Sequence, residues 1–122
     1  FMDWRQLPAV IAGLDINLMP LENSLFHWCK SENKWTEAAL VKVPSVMSRN
    51  CEMEYVVENG KDGWMCTTKE EWVNALEALV TDEKARKAMG EAAHQKVMEH
   101  YLTVNTGKDA MEELLCSESY TK

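Results

Sequence analysis

The stretch of this 122-residue sequence best equipped for chemistry is Lys30-Ser31-Glu32-Asn33-Lys34-Trp35-Thr36-Glu37-Ala38. Read as a helix over roughly 30–41, it places Lys30, Lys34 and Glu37 at i, i+4 and i+7, so that two cations and a carboxylate share one face. A helix N-terminus carries unpaired N–H groups and a partial positive charge, both favourable for a diphosphate, and lysines there add point charges. Further along, an ionised carboxylate has two acceptor oxygens, enough to bind both hydroxyls of a cis-diol such as a ribose; Glu37 is the candidate for that contact. The same spacing also describes a solvated helix face whose ion pairs contribute roughly 0.2–0.5 kcal/mol each. Spacing alone leaves both readings open.

Other reactive residue types form no comparable constellation. His27, His94 and His100 are too scattered for a metal site, and there is no Asp-x-Asp motif to argue for a divalent ion. The four cysteines, Cys29, Cys51, Cys66 and Cys116, make no Cys-x-x-Cys pair, so reduced thiols in a cytoplasm are expected. Of the five tryptophans, Trp4, Trp35 and Trp72 fall at inward helical positions and read as core, whereas Trp28 stands in a loop where it can meet a ligand. The eight methionines read as adaptable core filler.

These residues need a frame, and the sequence alternates apolar runs with helical patterns, as an α/β fold with a parallel sheet requires. A helix is expected over 4–12, with Leu7, Val10 and Ile11 on one side and Gly13 as its stop. Next comes a buried strand over 15–21, which ends near Pro20 and opens into a polar and aromatic loop over 22–29. That end is where open parallel sheets bind ligands. The helix over 30–41 buries Trp35, Ala38 and Ala39, and a second strand over 43–48 follows. A helical turn over 52–58, the turn Asn59-Gly60-Lys61-Asp62-Gly63 and a brief strand over 64–66 complete the sheet. The remainder reads as helical. Thr68 and Glu71 make a capping box ahead of a stripe of Trp72, Leu76 and Leu79. Asp82 caps a helix whose Ala85, Met89, Ala92 and Val97 face inward, and a last helix over about 108–116 carries Met111, Leu114 and Leu115.

Composition narrows the function classes. A net charge of −7, from 20 acidic against 13 basic residues, is the wrong sign for a nucleic-acid partner. At 46% hydrophobic content the chain supplies one core, and it has no apolar run long enough to span a membrane. Beginning at Phe1, it reads as a piece of a longer protein.

The order of Asp15-Ile-Asn-Leu-Met-Pro-Leu, the Lys30–Ala38 stretch, Val43-Pro44-Ser45-Val46-Met47-Ser48 and Gly60-Lys61-Asp62-Gly63 resembles the C-terminal domain of group 1 glycosyltransferases of the GT-B fold. The helical run over 71–101 matches too, so the likeness covers nearly the whole chain. It implies a partial Rossmann-like sheet with a helical C-terminal end, in which residues 1–122 form the later part of a donor-binding domain and about 103–122 a terminal helix and tail. By the same resemblance, a nucleotide-sugar donor binds here, and a saccharide or lipid-linked acceptor binds a preceding domain. The enzyme is expected to be bacterial, retaining and metal-independent, to use no cofactor, to serve polysaccharide biosynthesis, and to lie in the cytoplasm or at the inner membrane face. Glu37, just before Ala38, occupies the place of the carboxylate that holds the donor ribose. Eight residues earlier the family often has a glutamate on the donor sugar, where this chain has Cys29. The Lys-Ser-x-x-Lys-x-x-Glu variant implies Lys30, Ser31 and Lys34 around the donor, with Lys34 in the catalytic role and Trp28 beside them. Lys42 stands where the family commonly places glycine. Alone, the chain is expected to lack transferase activity, to bind nucleotide weakly, and to pair as a dimer through an uncovered strand edge. A non-catalytic nucleotide-binding or regulatory module, or a protein-interaction domain using the acidic helical end, is the alternative.

Overall fold

The computed structural model describes residues 3–117, with the side chains of all of these except 109 and 114–117. A 3-10 turn, Trp4–Gln6, leads into α1 (Leu7–Ala12) and then β1 (Asn17–Met19). The crossover to β2 (Ser45–Ser48) contains α2 (Leu25–Trp28) and α3 (Asn33–Leu40), and that to β3 (Trp64–Cys66) contains α4 (Cys51–Val56). Three helices close the chain: α5 (Lys69–Thr81), α6 (Glu83–His100) and α7 (Thr103–Ser117).

The strands are parallel in the order β1-β2-β3, with Asn17 opposite Ser45, Met47 opposite both Met19 and Met65, and Ser48 opposite Cys66. Alternation along β2 divides the core. Met47 packs with Trp35, Ala39, Met53, Ala93 and Val97 on one face, and Val46 packs with Cys66, Ala75, Leu79 and Met89 on the other. Helices thus cover both faces of β2, whereas β1 is shorter than the buried strand expected over 15–21 and leaves Leu18 52% exposed.

Local signals account for most boundaries. Thr68 and Glu71 form the expected capping box on α5, and Asp82 accepts from the Lys84 and Ala85 N–H groups to start α6. Asn50 caps α4 by accepting from the Met53 N–H, which begins that helix one residue earlier than its apolar pattern suggests.

Four expectations are corrected. First, α3 starts at Asn33, so Lys30 and Ser31 lie ahead of it, and only Lys34 and Glu37 share its surface. The cause is α2: Ser24 caps that short helix inside the expected loop, and the Lys30 N–H closes its end on the His27 carbonyl. Second, Trp4 is 74% exposed, because the tighter winding of its 3-10 turn takes it out of the 3.6-residue stripe, and Arg5 lies over its ring. Third, Ala85 is exposed, since the buried stripe of α6 runs through Met89, Gly90, Ala93 and Val97. Fourth, α7 begins at Thr103, five residues early, and the Asn105 amide donates to the Met98 and Glu99 carbonyls at the end of α6. Met111 on α7 is exposed, while Leu114 and Leu115 lie outside the described side chains.

Lys42 does adopt the left-handed backbone expected of a glycine position, with φ 62°. Its N–H bonds the Ala39 carbonyl and the Val43 N–H bonds the Ala38 carbonyl, the two bonds of a Schellman ending. The chain accepts about 1 kcal/mol of left-handed strain there.

Candidate functional site

The C-terminal ends of all three strands open onto a single cavity of about 350 Å³. Leu21 reaches it from the β1 end, Ser48 and Arg49 from β2, and Cys66 and Thr67 from β3. The Ser48 hydroxyl pins the first of these loops to the second: it accepts from the Leu21 N–H at 2.8 Å and donates to the Leu21 carbonyl at 3.1 Å.

Side chains in this wall are held in place. The indole N–H of Trp28 donates to Asn23 Oδ1 at 2.8 Å, and His27 Nδ1 lies 2.8 Å from the Ser24 hydroxyl. Arg49 pairs with Glu54 at 3.1 Å. Asn50 is only 7% exposed; its Oδ1 takes the Met53 N–H while its Nδ2 has no partner. Burial pushes the Cys66 thiol above its usual range. Beside the cavity, backbone N–H groups of Thr67 and Thr68 hold the Glu71 carboxyl below the usual carboxylate range.

Of the residues singled out from the sequence, Trp28 lines this cavity, and Cys29, Lys30, Ser31, Lys34 and Glu37 do not. Cys29 is exposed at the end of α2, and Lys30 places its ammonium 4.4 Å from the centre of the Phe26 ring. Lys34 and Glu37 project from α3, and among the described residues neither side chain has a hydrogen-bond or ion-pair partner. The helix carrying them is firmly placed: Asn17 donates to the Lys34 carbonyl and to the Ser45 hydroxyl, and the Trp35 indole donates to the Asp62 carbonyl at 2.9 Å.

Sequence reasoning missed Arg49, Asn50 and Glu54. The signal was present, since the rule that singles out the loop after the first strand applies equally to the residues just after Ser48. Among the described residues no group of three or more His, Cys, Asp or Glu could hold a metal ion, and no helix is long and apolar enough to cross a membrane.

An α/β domain with a cavity at the carboxyl ends of its parallel strands is a ligand-binding architecture. The sequence profile of the glycosyl transferase-like family matches residues 2–113, and the chain belongs to that family. A search of curated proteins gives no match. Among solved structures, it is similar to the C-terminal domain of a group 1 family glycosyl transferase, LpcC, from Francisella tularensis, with a TM-score of 0.62 and 18% identity. The match covers 83% of this chain and 50% of that one, so the chain spans half the length of its structural relative. The shared fold is that of the C-terminal domain of a GT-B glycosyltransferase, an α/β sheet with a helical C-terminal end.

Proposed function

We propose that this chain is the donor-binding side of a glycosyltransferase that moves a sugar from a nucleotide to a saccharide or lipid-linked acceptor. The observation that carries the reading is that Lys34 and Glu37 share the exposed surface of α3, unpartnered among the described residues, on a helix tied to Asn17 of β1 and to the turn before β3 in a glycosyl transferase-like fold. Transfer leaves negative charge on the departing diphosphate and positive charge on the sugar ring. Lys34 meets the former as it develops, with Lys30 and Ser31 nearby. Glu37 accepts from the ribose hydroxyls, and Cys29 and Trp28 border the sugar. Retention at the anomeric carbon, turnover without a divalent ion or other cofactor, a bacterial polysaccharide pathway and a cytoplasmic or inner-membrane-face location accompany this reading through the family resemblance. Acceptor binding belongs to a preceding domain, so the 122-residue chain alone binds nucleotide without transferring sugar and pairs through the outer edge of β1.

Glu37→Ala tests the assignment. Loss of hydrogen bonds to a charged group, about 1.5–3 kcal/mol, weakens nucleotide affinity roughly tenfold to a hundredfold by calorimetry. The melting temperature stays unchanged, because Glu37 is exposed. Unaltered affinity would remove Glu37 from the site.

A further inference from the structure

We propose that the cavity at the strand ends is a saccharide subsite built for an uncharged pyranose ring, with Trp28 as its stacking face and the Arg49–Glu54 pair as its hydroxyl clamp. The inference rests on the glycosyltransferase reading and narrows the substrate class of that site.

Three features of the wall lead to it. Trp28 lines the cavity and is 48% exposed overall, and its N–H is already committed to Asn23, so what it has left to offer a ligand is its aromatic carbon surface. Such a face suits the apolar C–H side of a sugar ring. Opposite chemistry comes from Arg49 and Glu54, 3.1 Å apart, both lining the cavity. A guanidinium only donates and a carboxylate only accepts, whereas a hydroxyl does both, so neighbouring hydroxyls can satisfy the pair without breaking it. Third, Asn50 leaves a buried Nδ2 donor unpaired in the same wall, a demand that a ligand oxygen can meet after a small side-chain shift.

Charge decides between neutral and anionic rings. Glu22 and Glu54 face the cavity against Arg49, and the guanidinium of Arg49 is answered by Glu54 and also acts on Glu71 in the adjoining groove. A ring carrying a carboxylate therefore meets Glu22 and Glu54 against one guanidinium that is already paired, while His27, the other basic side chain of the lining, has its Nδ1 held by the Ser24 hydroxyl. The same argument keeps the diphosphate out of this cavity and leaves it with the lysines near α3.

The test titrates the parent and each variant by calorimetry with matched uncharged and uronate ligands, and in the parent and Glu54→Gln also follows the indole N–H resonance of Trp28. One arm uses UDP-glucose, UDP-glucuronate and UDP, with the GDP-mannose series beside it; the other uses cellobiose and cellobiouronate. The uncharged form is expected to bind about tenfold tighter than its uronate. Glu54→Gln, a conservative change at a half-exposed position, should bring that ratio within about threefold. Trp28→Ala should weaken the uncharged form about tenfold and leave UDP affinity unchanged. The arm that shows the discrimination identifies the ring as the donor's or the acceptor's. Equal affinities in both arms, or a ratio that survives Glu54→Gln, overturn the subsite; intact UDP or GDP binding alongside that result leaves the donor reading standing. Discrimination among disaccharides without any nucleotide binding retains the subsite and sinks the donor reading, and no binding of any ligand overturns both.

Discussion

Removing the charge of Lys96 should destabilise the protein from a point remote from the cavity. Asp62, in the turn before β3, has a side chain only 3% exposed, and its carboxylate takes the Lys96 ammonium at 2.6 Å and the Glu58 N–H at 2.8 Å. Its carbonyl holds the indole of Trp35, which is completely buried on α3 between Lys34 and Glu37. Lys96→Met keeps much of the apolar stem and deletes the charge, stranding a buried carboxylate with one backbone donor. Breaking a fully buried pair costs about 3–5 kcal/mol. Lys96 is 29% exposed, so water offsets part of this, and a loss of about 2–3 kcal/mol is expected.

For a domain of this size that lowers the melting temperature by roughly 8–15 °C. Circular dichroism on Lys96→Met, Asp62→Asn and the double variant provides both the magnitude and the coupling. The double variant should lose less than the sum of the single losses, because Asn leaves no charge to strand. A Lys96→Met melt within about 2 °C of the parent, or strictly additive losses, would refute the argument. Nucleotide affinity should also fall in Lys96→Met, since the turn that anchors Trp35 loosens, although neither Lys96 nor Asp62 lines the cavity.

Two further outcomes follow from local geometry. In Gly90→Ala the new Cβ would lie 2.1 Å from the Lys42 carbonyl oxygen and 2.8 Å from its carbon, so α6 must move away from the end of α3. The helix-propensity gain of about 1 kcal/mol is outweighed by overpacking, and the urea midpoint should fall by the equivalent of about 1–2 kcal/mol; a raised midpoint would contradict this. The second concerns Glu71, whose folded-state pKa is depressed by the Thr67 and Thr68 N–H groups. Its stabilisation is complete above the ordinary carboxylate range and disappears as pH falls through the depressed value. Urea midpoints of the parent and Glu71→Gln should converge on acidification, and a gap constant with pH would count against the cap.

The order of strands and helices was legible because each rests on a local cause. Thr68 with Glu71, Asp82 ahead of its helix, and the spacing of Trp35, Ala38 and Ala39 all carry their structural outcome within a few residues. What failed depended on neighbours in space or on a competing local turn. Lys30 looked helical by periodicity, but the Ser24 cap created α2 and left Lys30 in the exit turn, where its ammonium meets Phe26. Ala85 fitted an apolar stripe, yet the face of α6 is chosen by Gly90, whose missing side chain permits contact with the Lys42 backbone. The cavity was half legible: Trp28 lay in the loop after the first strand, while Arg49 and Glu54 became visible once the parallel register brought the end of β2 beside it.

Lys42 connects these observations. A left-handed residue there reverses the chain at the end of α3 so that Val43 and Pro44 are buried and β2 can start at Ser45, opposite Asn17. Where β2 starts fixes where it ends, and therefore which residues leave the sheet into the cavity: Arg49 and Asn50 emerge immediately after Ser48. Glycine would meet the backbone demand with less strain. Lysine meets it with the Schellman bonds intact and adds an ion pair to Glu91 at 2.9 Å, which is exposed to solvent and therefore weak. The close approach needed at this corner is supplied by Gly90 on α6. The α3 surface bearing Lys34 and Glu37 and the cavity wall bearing Arg49 therefore share one support, the helix ending that leads into β2.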